Sequence, residues 1–309
     1  MGLVKQGTIP RYFYDVGFLF LRRSIFEMKK IILTIDMIFA LIFLHPGALS
    51  ASDAGSLRVV SLAPATTEIL FALGLDREIV GVTTFCKYPP KALAKEKVGT
   101  FSHPSIEKII SLKPDIIFCT GLEQNDVVAK LKQLNLNICI SDPSNFEELF
   151  ASILKIGSLV NRDKEAAGLV SAMRHSIDEI RSKTANVSND KKPRVFVEIW
   201  NDPLTTAGKG SFVDELISLA GGTNIAGDVN KPYFYFNPEE VVRRDPDYII
   251  LAYMDNKDSL KMFGKRIGWN SVSAIKNNRV YGDIDPDLLL KPGPRLVDGL
   301  REVHKRLYP

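Results

Sequence analysis

Asn237–Leu251 reads NPEEVVRRDPDYIIL, and Ser105–Cys119 reads SIEKIISLKPDIIFC. Each stretch has a capping residue, a Glu two places later, an apolar helical pattern, and then Pro-Asp followed by strand formers. The offset is constant: adding 132 to Glu107, Pro114 and Asp115 gives Glu239, Pro246 and Asp247. One helix–strand unit written twice predicts two lobes of like topology, each carrying a glutamate at the same place.

Reading outward, the N-terminal copy lies in a run of alternating strands and helices. LRVVSLA is a strand, and PATTEILFALG is a short helix with Pro64 at its start and Gly74 as its stop. EIVGVTTF is the next strand, and after the first quoted stretch come a helix near Asn125–Leu134 and the strand NICISD. The second copy has the strand RVFVEIW, the helix SFVDELISLAGG, the later strand RVYGDI and a C-terminal amphipathic helix. Strands alternating with helices predict α/β lobes with mostly parallel sheets.

Between the copies, Ile153, Ile156, Leu159 and Val160 share one helical face, and Ala166, Leu169, Val170, Met173 and Ile177 share another. The second of these helices is long enough to bridge the lobes as a brace. The expected organisation is an N-terminal lobe over 57–160, a bridging helix over 161–185 and a C-terminal lobe over 194–309. A helical brace bends less than extended linkers, so small opening motions are expected rather than wide hinge closure.

The chain has 309 residues, 45% of them apolar and 25% charged, which suffices for a real core in about two domains. A net charge of +4 without a basic cluster interleaved with aromatics argues against nucleic acid as a partner. From Met28, MKKIILTIDMIFALIFLHPGALSASDA has the basic start, short apolar run and small-residue end of a secretory signal. Residues 1–51 are therefore expected to be an upstream extension plus that signal, cleaved near Ser50 or Ala51 to free the protein in the periplasm. No cysteine follows the apolar run, so no lipid anchor is expected. Cys86, Cys119 and Cys139 are too few and too scattered for a disulfide framework, and are expected to be buried thiols or to form at most one bridge.

Each copy of the unit starts a helix. Ser105 caps the first; Asn237 caps the second, with Pro238 in the first turn and Glu240 completing a capping box. The helix dipole accounts for a glutamate in either first turn. It does not account for the same position in both lobes. Two related lobes would present Glu107 and Glu239 on one rim beside the cleft, as a pair of anions suited to a basic, two-fold partner.

RVVSLAPATTEILFALGL, VGTFSHPSIEKIISLKPDIIF, EIWNDPLTTAGKGSFVDELISLAGGTNIAGD and NPEEVVRRDPDYIIL together resemble the periplasmic substrate-binding proteins of ABC importers with a helical backbone between lobes. Within that class the resemblance is strongest to cobalamin-binding proteins, and it covers Leu57 to Pro309. It implies a monomer with no resident cofactor, which captures a corrinoid between its lobes and delivers it to a permease dimer in the inner membrane. It also implies that Glu107 and Glu239 engage arginines of the two permease subunits. By the same resemblance Phe85, Phe101 and Tyr233 fall at cleft-lining aromatic positions and Asp287 at a polar contact. Trp200 opens towards the cleft, and alternation in YFYF adds Tyr235. Phe101, Thr120 and Tyr233 stand where cobalamin binders can carry tryptophans.

Two rivals follow from the residues. Haem would lean on Tyr233, Tyr235 or His103 as axial ligand, and an anionic siderophore on Lys209, Lys231 or Arg295. An enzyme would use loop acids such as Asp202, Asp283, Asp285 and Asp287. Yet TAGKGS lacks the Ser or Thr after Lys209 that a phosphate loop needs, and no nucleophile elbow is present.

Overall fold

The computed structural model describes residues 56–121, 124–254, 260, 263 and 266–309, so the expected secretory segment lies outside them. Ser56–Pro309 forms one compact unit. No helix among the described residues is long and apolar enough to cross a membrane.

The first sheet contains β1 (Val59–Ser61), β2 (Ile79–Val82), β3 (Ile116–Cys119) and β4 (Ile138–Ile140) in the order β2-β1-β3-β4, all parallel. Helices α1 (Pro64–Ala72), α2 (Ile106–Ser111) and α3 (Asn125–Gln133) connect them. Helix α4 (Phe146–Leu159) leads into the brace, α5 (Asp163–Thr184). The second sheet opens with β5 (Arg194–Trp200), beside β6 (Thr205–Ala207), β7 (Thr223–Asn224), β8 (Tyr233–Tyr235), β9 (Tyr248–Leu251) and β10 (Val280–Tyr281). Its helices are α6 (Phe212–Leu219), α7 (Pro238–Arg244), α8 (Ser273–Lys276), α9 (Asp287–Leu290) and α10 (Leu296–Leu307).

The strands β5, β9 and β10 repeat the parallel order of β1, β3 and β4. The second sheet is mostly parallel as well, and β6 and β8 add an antiparallel edge to it. The YFYF run is therefore itself a strand, and its alternation holds: Phe236 is buried and Phe234 packs against it edge-on, while both tyrosines are exposed.

Alternation along the strands sorts the core into three clusters. Val59, Ile116 and Phe118 in one lobe, and Val195, Val197 and Ile250 in the other, join Ile153, Met173, Ile177, Leu216 and Leu300 in one continuous core. The opposite sheet faces pack outward, Val60 and Ile117 against α2 and α3, Phe196 and Ile249 against α7 and Trp269. The sheets thus share the brace helices as a common core, while the two duplicated helices occupy the outer flanks.

The brace is 22 residues of α5, about 33 Å at the helical rise. It is pinned near both ends by glycines. A Cβ on Gly157 would stand 2.4 Å from the Ala166 Cβ, and one on Gly221 (φ +90) 2.5 Å from the Thr184 Cγ2. Either substitution would push α5 off its neighbour.

The duplication also explains its own Pro-Asp. Asp115 accepts the backbone N–H of Arg58 at 2.7 Å, and the Arg58 guanidinium donates to the Leu112 carbonyl at 2.9 Å. Asp247 accepts the N–H of Arg194 at 2.8 Å, and the Arg194 guanidinium donates to the Arg244 carbonyl at 3.2 Å. Lys113 and Asp245, again separated by 132, both turn left-handed (φ 47 and 43) to make the helix-to-strand corner. In each lobe the aspartate thus holds the start of the first strand against the corner leading into the next.

One expectation changes. Asn237 accepts from the Glu239 N–H at 2.9 Å, but the Glu240 carboxylate takes Arg243 and Arg244 rather than reaching back to the cap, so the capping box is not made. A charged fork from Arg243 and a further charged bond from Arg244 outcompete one neutral N–H. Cys86, Cys119 and Cys139 are all free and buried. Cys119 and Cys139 lie on adjacent strands but in clusters on opposite faces of the sheet, so they cannot bridge without turning a strand over.

Candidate ligand-binding site

In a parallel β–α–β unit the helix returns antiparallel to the strands, so its N-terminus and the loops before it gather at the carboxyl edge of the sheet. The segments after β1, β2, β3, β5, β9 and β10 accordingly line the carboxyl edges of the two sheets. Phe85, Phe101 and His103 follow β2, Trp200 ends β5, Asp287 follows β10, and Tyr233 and Tyr235 lie on β8.

Five large aromatics there are open to solvent instead of buried in a core: Phe85 (45%), Tyr88 (44%), Trp200 (51%), Tyr233 (49%) and Tyr235 (76%). Phe101 is half-buried at the turn 99–104, which Gly99 closes with φ +114; a Cβ there would come within 2.7 Å of the His103 carbonyl. Tyr88 was not anticipated from the sequence. Trp200 donates its indole N–H to the Asp202 carbonyl at 2.9 Å, which fixes the ring against its own turn.

Tyr233 has an informative pair of properties. Half of the residue is reached by water, yet desolvation raises the pKa of its phenol. The phenol therefore stays neutral across the physiological range.

Asp287 is half-buried and already engaged. Its carboxylate takes Lys291 at 2.5 Å, with Arg295 3.9 Å away. Any ligand contact at Asp287 would be shared with Lys291, which the sequence reading left out. His103 is exposed on its turn, with its backbone N–H bonded to Thr100.

Buried polar residues hold these loops from beneath. The Gln124 side chain donates to the carbonyls of Phe101 at 2.8 Å and Leu62 at 3.1 Å, and accepts the Thr120 N–H at 3.0 Å, tying three strand-end segments together. In the other lobe Glu198, fully buried two residues before Trp200, binds Tyr253 and Arg266. Burial pushes the Glu198 carboxyl up, against the pull of those two partners. Glu198 is legible in RVFVEIW as a charge on a buried register; Gln124 has no such signal.

Glu107 and Glu239 are exposed in the first turns of α2 and α7, at the carboxyl edges and on the outer flanks. The Glu107 N–H and the Ser105 hydroxyl, 2.9 Å away, hold the Glu107 carboxyl below its ordinary range. It is therefore anionic at neutral pH.

The family profile described as "Periplasmic binding protein" matches residues 59–287, spanning both lobes and the brace. The chain belongs to the periplasmic binding protein family. An uncharacterized ABC transporter substrate-binding lipoprotein, YvrC of Bacillus subtilis, is 35% identical over 82% of this chain and 80% of its own length. The crystal structure of the vitamin B12-binding protein BtuF of Vibrio cholerae superposes with a TM-score of 0.70 at 29% identity, over 81% of this chain and 96% of that one. The haem-binding protein RhuT of Roseiflexus sp. RS-1 gives 0.71 at 26% identity, over 82% and 98%. The exposed aromatics lie at the carboxyl edges of the sheets of this family fold.

Proposed function

We propose that this periplasmic binding protein captures cobalamin or a related corrinoid outside the inner membrane and hands it unchanged to an ABC importer. The observation that carries the reading is the set of solvent-open aromatics, Phe85, Trp200, Tyr233 and Tyr235, at the strand-end edges. A large flat macrocycle needs wide apolar walls and few polar groups to orient it. Nanomolar capture corresponds to about −12 kcal/mol, within reach of several ring faces buried at once. Phe101 adds a further wall from its turn, and Asp287 with Lys291 supplies a paired polar contact.

Haem is the second reading, favoured by the likeness to RhuT. It would require Tyr233, Tyr235 or His103 to ligate iron.

Glu107 and Glu239 would dock the loaded protein on a permease dimer, one glutamate to each subunit. Exposed charges of this kind set orientation more than affinity.

The deciding experiment is native mass spectrometry of the mature chain mixed with cobalamin, cobinamide, haem and ferric siderophores. One corrinoid per chain is expected; exclusive retention of haem or a siderophore would overturn the assignment.

A further inference from the structure

Arg295 lies just before α10 in the C-terminal lobe, and its guanidinium crosses to the N-terminal lobe. There it makes a two-pronged pair with Glu68 of α1, at 2.8 and 2.7 Å. The Glu68 side chain is 4% exposed and that of Arg295 16%, so the pair is largely withdrawn from solvent. On its face the same guanidinium stacks on the Tyr88 ring, 3.9 Å from the centroid. Asp285 and Asp287 flank it at 3.6 and 3.9 Å. The backbone follows: a Cβ on Gly293 would meet the Ala65 carbonyl at 3.5 Å.

Glu68 and Tyr88 follow β1 and β2, and Arg295 follows β10, so the carboxyl edges of the two sheets touch at this point. Burial pushes the Glu68 carboxyl up, against the pull of the Arg295 fork and charge. A forked guanidinium fixes both distance and angle, which a flexible ammonium does not. Tyr88 keeps 44% of its surface open while one ring face is taken by Arg295.

We infer that Glu68 and Arg295 form a clasp across the cleft that sets the separation of the lobes, and that Arg295 holds the Tyr88 ring as a further wall for the ligand. The spacing role stands on the geometry alone; the wall role rests on the proposed capture of a flat macrocycle.

The test uses spin labels on Lys130→Cys in α3 and Lys276→Cys in α8, both exposed positions, with the lobe-to-lobe distance distribution measured without ligand. Arg295→Lys keeps the charge and loses the fork, and is expected to broaden and lengthen the distribution. Should that variant fail to fold, Glu68→Leu with Arg295→Met removes both charges together, and the same broadening is expected of it. A distribution unchanged in a folded variant would overturn the spacing role.

Titration with cyanocobalamin tests the second part. Tyr88→Ala should leave the distance unchanged and weaken binding about tenfold, equivalent to ~1.4 kcal/mol. Binding equal to the parent would overturn the wall role. A parent that binds no corrinoid, yet shows the broadened distribution on Arg295→Lys, would refute the proposed ligand and uphold the clasp.

Discussion

Asp247 holds the first residue of β5, accepting the Arg194 N–H at 2.8 Å and pairing with its guanidinium at 3.2 Å. The bond ties β5 to the corner leading into β9 before any core residue is counted. Removing the carboxylate leaves the strand-end N–H without its acceptor and takes one of the guanidinium's partners, while the Arg244 carbonyl remains. Asp247→Ala is expected to cost ~1.5–3 kcal/mol, the usual worth of a hydrogen bond to a charged group. Asp247→Asn keeps an acceptor for the N–H and should recover part of that. Urea denaturation measures both, and a loss for alanine no greater than for asparagine would refute the account.

Glu107 and Glu239 make no contact that the fold needs beyond the first turn of a helix. Replacing both by alanine should leave ligand affinity unchanged and abolish uptake by cells carrying the importer. Normal uptake would reduce the pair to helix-terminal charges.

Glu240 should titrate far from its ordinary 4.5, because Arg243 first and Arg244 second hold its carboxyl down at about 2. For a carboxylate depressed by folding, the stabilisation is present above the unfolded value and is lost as pH falls through the folded one. The difference in melting temperature between parent and Glu240→Gln should therefore be level above pH 5 and shrink between about 4.5 and about 2. A carboxyl NMR titration with its midpoint near 4.5 would refute the forked geometry.

Burial pushes the Cys119 thiol up to about 12 and raises that of Cys139. A thiol far above ambient pH offers almost no thiolate. Iodoacetamide at pH 8 should leave Cys86, Cys119 and Cys139 unmodified in the native protein and label all three in urea. Rapid native labelling of Cys119 would contradict its burial.

The parts of the fold visible in the sequence are those governed by local rules. Pro64, Gly74, Ser105, Asn237 and the Pro-Asp corners mark helix ends by backbone chemistry, and the structure places α1, α2 and α7 accordingly. The 3.6-residue spacing of Ala166, Val170, Met173 and Ile177 is that of a helix buried along one face, which α5 is. The short strands β6 and β7 escaped notice because Thr205–Ala207 and Thr223–Asn224 are too brief to show alternation. Glu68 and Arg295 are 227 residues apart, and no local pattern joins them. Glu240 was misassigned because a capping-box spacing carries no information about competing arginines one turn further on.

Tyr233 offers the sharpest division between the two ring compounds. As a wall for a corrin it contributes its ring face, and the hydroxyl is incidental. As an axial ligand to haem iron it would contribute the phenolate oxygen and nothing could replace it. Tyr233→Phe keeps the ring and removes the oxygen; Tyr233→Ala removes both. For corrinoid capture the phenylalanine variant should bind cyanocobalamin within about twofold of the parent, whereas the alanine variant should lose about tenfold or more, ~1.4 kcal/mol. If Tyr233→Phe instead abolishes a haem absorbance band that the parent shows, and neither variant responds to cyanocobalamin, the cleft is a haem site and the corrinoid assignment falls.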